Sequence, residues 1–576
     1  MKYTLRYVCG VLLAAAILTA CRNNAVKEAR YIPKEASMVC VLDASQMHDK
    51  LQNGGISVDS LVARLFRNEP ADSKDRAKFN ELRTNSGINW DKQWFFFMLQ
   101  KAYPDKSNGM TFSALGTLSD PAKWEAYLKK QEDLKDKPIQ KEKDYSYLLM
   151  QDRSMLAWDK DHVIVTFHNH SPSLSFDTSG MRTGQPDSIN TEAELKAQVA
   201  KYFTQKTSES LADESRFTGM FKEKADGYMY TSTNNAPSYL SMLPVQVPKL
   251  EEFIKDNYSI STFNFEDGRI AGKSTSYVNP MVANLLKQYA SPGVDLSMLQ
   301  KYPSANLNGF MLFSINPQII GGLLKQLEME GFANMALEKS GLTSEDLYKA
   351  FKGDFALMVS DIGMMGIEPQ MKTDEKSMIT KKPWGKMLLN ITIGDKASFD
   401  KIMSKAVDLG GLVRTPSGGY KGSPMLSAFG IFLSADDKNL IVASDSLTYA
   451  QYTAGTSKAV IGKDVMDKFD GKKSAIMYFD MAKTLGSFTK DTASRYYQSL
   501  RSTQQTFKDI MGSMDTFDGK TLKSNFEVRL QDTKQNSLVT LTRLFTDIAV
   551  DMRLQAARNP DSKLFPGGVP AIIRTN

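Results

Sequence analysis

The sequence is poor in the residues that most often carry chemistry. Its 576 residues include four histidines, three cysteines and five tryptophans. Cys9, Cys21 and Cys40 form no Cys-x-x-Cys pair, and no cysteine–histidine set has zinc spacing. There is no Gly-x-Ser-x-Gly elbow, no His-Glu-x-x-His pair and no Gly-x-Gly-x-x-Gly loop. Gly519-Lys520-Thr521 has the ending of a phosphate loop, but the glycine needed five residues before Gly519 is Met514. Ser398-x-x-Lys401 and Ser487-x-x-Lys490 lack the Lys-Thr-Gly that would make them a penicillin-binding signature. No catalytic residue and no cofactor is therefore expected from motifs.

Charge of one sign is also missing. Lys+Arg 72 against Asp+Glu 65 leaves +7, and the two signs are mixed along the chain. A nucleic-acid partner would favour clustered positive charge, so none is expected. After the N-terminus no run reaches the ~18 apolar residues of a membrane-spanning helix. What is present is a folding composition: the 42% hydrophobic fraction excludes a disordered chain. The length favours several domains.

Lys2 and Arg6 precede the apolar run Val8–Leu18, which ends in Leu18-Thr19-Ala20-Cys21. Charge, apolar segment, small residues and cysteine in that order resemble a bacterial lipoprotein signal peptide. The resemblance implies cleavage after Ala20 and lipidation of Cys21, with three acyl chains as the membrane anchor. One chain alone would hold weakly. Residues 1–20 are thus expected to be removed, taking the formal charge from +7 to +5. Residues 21–30 would follow as a polar tether reaching on the order of 30 Å. Lipoproteins of this kind bound for the cell surface tend to carry an acidic run after the cysteine; Arg22-Asn23-Asn24-Ala25-Val26-Lys27 is not acidic, so the resemblance implies the periplasmic face of the outer membrane rather than the cell surface. Cys40 would be a lone small hydrophobe in the run Val39–Leu42.

Self-comparison shows six blocks recurring in the same order. Tyr31-Ile-Pro33 before Met38–Leu42 parallels Tyr302-Pro303 before Phe310–Phe313. Asp120 and Trp124 face Asp395 and Phe399; Asp159-Lys-Asp-His-Val163 faces Asp436-Asp-Lys-Asn-Leu440. Gly227–Tyr230, Asp267-Gly268 and Asn279 face Ala475–Tyr478, Asp518-Gly519 and Asn536. Two related halves are expected, 31–290 and 300–556, joined near Ser291-Pro292-Gly293, with a loose tail over 557–576. The first half carries a polar insert at 171–190, read as a loop. The second carries one at Gly363–Gly385, where Met364, Met365, Met371 and Met378 suggest either a partner contact or a loop folded on its own domain.

The repeated unit reads as an apolar strand, then Asp or Asn, then a helix. Asp43, Asp120, Asp395 and Asp480 sit where a helix needs an N-cap oxygen, and capping is preferred to a catalytic role. Asn279-Pro280 and Asn316-Pro317 add proline at the helix start. Glu266–Arg269 and Phe517–Lys520 read as hairpin turns. Trp94–Met98 and Phe355–Val359 read as buried strands. Helices are expected at 57–66, 192–203, 319–339, 493–511 and 538–555. The fold class is α+β, with predominantly antiparallel sheets and flanking helices. His162, His168 and His170 share parity, so a continuous strand would put them on one face. His168 and His170 could then ligate a metal with a third group, but a solvated strand end is preferred because the second half keeps no such set.

The proline-containing lead-in, the strand ending in Asp43, the Asp120/Trp124 and Asp395/Phe399 helix starts and the lipobox together resemble a family of large Bacteroidota lipoproteins, catalogued as a domain of unknown function. The resemblance covers nearly the whole mature chain. It implies envelope residence and carries over no catalytic residue. The expected role is non-catalytic binding or scaffolding, with the membrane and an envelope protein or polymer as partners. The alternative is an envelope glycan or peptide hydrolase whose carboxylate pair has no fixed spacing in sequence. A third reading is surface capture of nutrients.

Overall fold

A computed structural model describes residues 25–67, 73–103, 107–150, 153–171, 174–177, 180–183, 191–234, 247–367, 380–456, 461–469, 472–489 and 497–558. Cys21, the signal segment, Met371, Met378 and the tail from 559 lie outside the described residues. The chain forms two compact units. The first is built from the residues up to 246 with Ile254–Ser274 and the segment from Lys534. The second is built from Val247–Phe253 and Thr275–Thr533. Among the described residues every paired strand whose register is resolved is antiparallel, so the α+β expectation holds in its coarse form.

In the first unit Met38–Leu42 is central. Val39 and Val41 are fully buried while Met38, Cys40 and Leu42 are half-buried, the alternation that a strand's twofold period imposes. Cys40 thus falls on the less covered face. Gly227–Ser232 flanks one side, followed by Tyr258–Glu266. On the other side come Trp94–Ala102, Asn108–Leu118, His162–Ser171, Ser154–Trp158, Ser146–Leu149 and Gln140–Lys141. One face is closed by helix Thr191–Thr204 through Leu195, Val199, Tyr202 and Phe203. On the other, helix Pro121–Lys130 brings Trp124, Tyr127 and Leu128 against Trp94 and Trp158.

Two expectations are corrected here. Residues 25–30, expected within a loose tether, are folded: Ala25–Glu28 is helical, Ala29–Tyr31 is a 3-10 turn, and Ala29 and Ile32 are fully buried in the sheet's core. The insert at 171–190 is not all loop, because Leu174–Asp177 pairs with Gly180–Thr183 as a short hairpin.

In the second unit Leu307–Ser314 is central. Lys473–Asp480 flanks one side, then Phe507–Asp515 and Thr521–Leu530. The other side runs through Phe351–Ile367, Thr380–Ile393, Asn439–Ala443, Phe432–Ala435, Tyr420–Gly422 and Leu412–Arg414. The methionine-bearing insert leaves from a long ribbon: Gly363 pairs with Trp384 and Ile367 with Thr380. Gly519 turns the second hairpin at φ 94°, as Gly268 does its counterpart in the first unit at φ 68°, both in the region glycine favours. The helix expected over 319–339 is two, Gln318–Gln326 and Glu330–Leu337, broken where Glu328 takes φ 56°. The helix expected over 493–511 stops at Thr506, and Phe507–Asp515 is a strand. Asp509, 1% exposed, holds it in place with a two-pronged ion pair to Arg529 at 2.6 and 2.7 Å. Arg529 also meets Asp464 at 2.6 Å.

The first unit depends on a comparable buried charge. Asp226 is fully buried between Met38–Leu42 and Tyr258–Glu266. Its Oδ2 accepts from Phe265 N at 2.6 Å and from Lys50 Nζ, which also donates to Phe265 O at 2.8 Å. Lys50 lies on helix Ala44–Asn53, which packs Met47 and Leu51 against Leu538 and Val539 of helix Ser537–Arg558. Removing the lysine would leave a dry carboxylate without its counter-ion. Lys50→Met is expected to lower the stability of this unit by about 3 kcal/mol in urea titration, and Lys50→Met/Asp226→Asn to recover part of that loss.

Candidate functional site

The aspartates that a hydrolase would call on are occupied at helix starts. Asp43 accepts from Gln46 N at 3.1 Å, Asp120 from Lys123 N at 3.0 Å, Asp395 from Ser398 N at 2.7 Å and Asp480 from Lys483 N at 2.8 Å. Each satisfies an amide that the first helical turn leaves without a partner. Asn279 does the same for Val282 N at 2.9 Å. These residues are brought to five separate helix starts.

The histidines do share a face. His162–Ser171 is one strand, and His162, His168 and His170 lie opposite Thr117, Thr111 and Gly109. The strand end is not solvated, however: the three side chains are 3, 5 and 6% exposed. Thr111 Oγ1 lies 2.9 Å from His168 Nδ1, and Ser107 Oγ lies 2.7 Å from His170 Nε2. Burial holds His168 below the ordinary histidine range, which favours the uncharged ring. Among the described residues no group of three His, Cys, Asp or Glu side chains is placed to hold a metal ion.

His162 belongs to a different cluster, which the sequence did not announce. The N-terminal 3-10 turn brings Glu28 and Tyr31 beside it. Glu28 Oε1 is 3.9 Å from Nε2, Asp159 Oδ1 is 3.5 Å from Nδ1, and the Tyr31 ring lies 4.4 Å away centre to centre. Tyr31 Oη donates to Asp159 Oδ2 at 2.6 Å. Asp159 Oδ1 also accepts from the backbone of Asp161 and His162 at 2.8 and 2.7 Å. Burial opposes the charged ring of His162, but the two carboxylates outweigh it and raise its pKa. Burial likewise opposes ionisation of Asp159, and hydrogen bonds from His162 and Tyr31 lower it nonetheless. This is a clamp on the segment Glu28–Tyr31, closed to solvent.

An open surface lies on the second unit's sheet. Leu312, Met358, Leu388 and Ile476 face a core covered by Met298, Leu299, Tyr302, Tyr452 and Phe469. Their neighbours along each strand face the other way and are apolar too. Phe526, Gly512, Met477, Met311, Leu357, Leu389 and Val442 form one row across seven strands. Phe313 stacks on Phe355 in the next row, centres 4.8 Å apart. Helix Lys396–Asp408 and its neighbours cover the Ile391–Val442 end, but Met311 is 42%, Met477 39% and Phe526 41% exposed. The continuous apolar run in Phe310–Phe313 was the available signal, since a strand with one wet face would alternate.

The family described as Domain of unknown function (DUF4836) matches residues 29–538. No curated protein matches the sequence. Among solved structures, crystal form I of TP0453 is similar at 9% identity and TM-score 0.22, covering 45% of this chain and 81% of that one. Crystal form IV gives 10% and 0.23, covering 46% and 87%.

The His162 clamp makes stability depend on pH in a stated direction. A raised histidine pKa stabilises the fold at low pH and the contribution is lost as pH rises through the folded value. A lowered aspartate pKa stabilises above the carboxylate range and is lost in strong acid. Urea midpoints are therefore expected to fall as pH climbs beyond the ordinary histidine range, and His162→Gln to flatten that slope.

Proposed function

We propose that this chain, which belongs to the DUF4836 family of unknown function, is a lipid-anchored cell-envelope protein with a non-catalytic binding or scaffolding role. The observation that carries the reading is the uncovered apolar face of the second unit's sheet. Contiguous exposed apolar surface on a folded protein marks a place where something else binds, and here it sits on a rigid sheet rather than a loop. The engagement of Asp43, Asp120, Asp395 and Asp480 as helix caps weakens the hydrolase alternative.

The anchor is Cys21, for which the lipobox of residues 18–21 is the support, and the outer membrane's periplasmic face is its address. The two units are, in this reading, copies of one plan. Each has a central strand flanked on one side by a strand that pairs onward to another, and on the other side by six strands in matching spatial order, and the sequence blocks recur in the same order.

Two measurements test this. Mass spectrometry of the membrane-extracted protein is expected to find Cys21 acylated at a new N-terminus; an unmodified cysteine would remove the anchor. Crosslinking in intact envelopes followed by purification is expected to capture a partner reproducibly. Met311→Lys/Met477→Lys, on exposed positions, should abolish that capture while leaving the circular dichroism unchanged. Capture of the same partner by the variant would remove the sheet face from the proposal.

A further inference from the structure

A second surface, in the first unit, has a different character. Helix Pro121–Lys130, the turn that follows it and the hairpin of Gln140–Lys141 with Ser146–Leu149 enclose a cleft of 440 Å³. Its floor is apolar. Leu128 and Leu148 are 2% and 1% exposed, and Leu134 and Ile139 pack beside them on the Trp124–Trp158 core. Its rim is basic, with Lys129, Lys135, Lys137 and Lys141 lining it against a single carboxylate, Glu125.

The acid does not neutralise that rim. Glu125 Oε1 accepts from Trp158 Nε1 at 3.4 Å, and Glu125 Oε2 lies 3.8 Å from Lys141 Nζ. Lys137 Nζ donates to the backbone oxygen of Leu149 at 3.3 Å and so braces the turn. Among the described residues no ion pair involves Lys129 or Lys135, although neighbouring Lys123 and Lys130 each reach a carboxylate at 4.0 Å. Two cations thus stand exposed at the mouth of the cleft.

We propose that this cleft binds an anionic amphiphile, a carboxylate or phosphate head joined to an alkyl chain. The head would lie between Lys129 and Lys135, where an anion meets two ammonium groups. The chain would lie on the half-buried Leu134 and Ile139, displacing water from their apolar surface. Volume argues for a small molecule: 440 Å³ sits in the range of small-ligand pockets, about 300–1,000 Å³. The proposal does not depend on the partner reading of the sheet face.

Isothermal titration of the purified protein with four probes tests it: dodecanoate, dodecyl phosphate, dodecanol and inorganic phosphate. At least one of the two anionic amphiphiles is expected to bind at least tenfold more tightly than dodecanol and inorganic phosphate. The tighter of the two identifies the head. Lys129→Gln/Lys135→Gln, at exposed positions, should weaken that binding at least tenfold with the melting curve unchanged. Raising the salt should weaken it as well, as screening of an exposed ion pair requires. Equal binding of dodecanol, equal binding of inorganic phosphate, or unchanged affinity in the double variant would each overturn the proposal.

Discussion

The constraint on which the rest of this structure depends is the twofold period of the β-strand. Successive side chains point to opposite faces, so a strand apolar at every position needs two covers. In the first unit helix Thr191–Thr204 closes one face, and Trp124, Tyr127 and Leu128 close an end of the other, on which Phe112 is still 42% exposed. In the second unit the segments carrying Tyr302, Tyr452 and Phe469 close one face, while helix Lys396–Asp408 closes only an end of the other. Met311, Met477 and Phe526 are what that arithmetic leaves over. Their exposure costs solubility with no return to the isolated fold, and it is the observation from which the proposed binding role starts.

Buried charge is handled sparingly and always in company. Asp226 has Lys50 and an amide, Asp509 has both prongs of Arg529, and His162 lies between two carboxylates. Lys50 and Asp226 tie elements distant in sequence, while Asp509 and Arg529 tie the two strands of one hairpin, and an ion removed from water is tolerable only with such partners. These contacts fix which segments meet rather than adding much net stability.

Features decided locally could be read from the sequence. Helix caps at Asp43, Asp120 and Asp395 need only three residues to be recognised, and the Asp-Gly hairpins at 267–268 and 518–519 need only two. Features decided by distant partners could not. Nothing near Phe507 says that Asp509 will find Arg529 and turn a helical pattern into a strand. Nothing near His168 says that Thr111 will cover it. The basic cleft is local in sequence, spanning residues 125–148, but its lysines read as ordinary solvated charge until the turn folds Leu134 and Ile139 beneath them. The break at Glu328 is likewise invisible to periodicity, since both helices keep the same spacing of apolar residues.

The folded stretch Ala25–Tyr31 has a consequence for geometry at a bilayer. If Cys21 bears lipid, three residues, Arg22, Asn23 and Asn24, separate it from the described helix Ala25–Glu28. Three residues span on the order of 10 Å at full extension, about a third of what a loose leash to residue 30 would allow. The body would then ride close against the headgroups with restricted swivel, and the corner of the first unit bearing Tyr31 and His162 would be the part held nearest the surface.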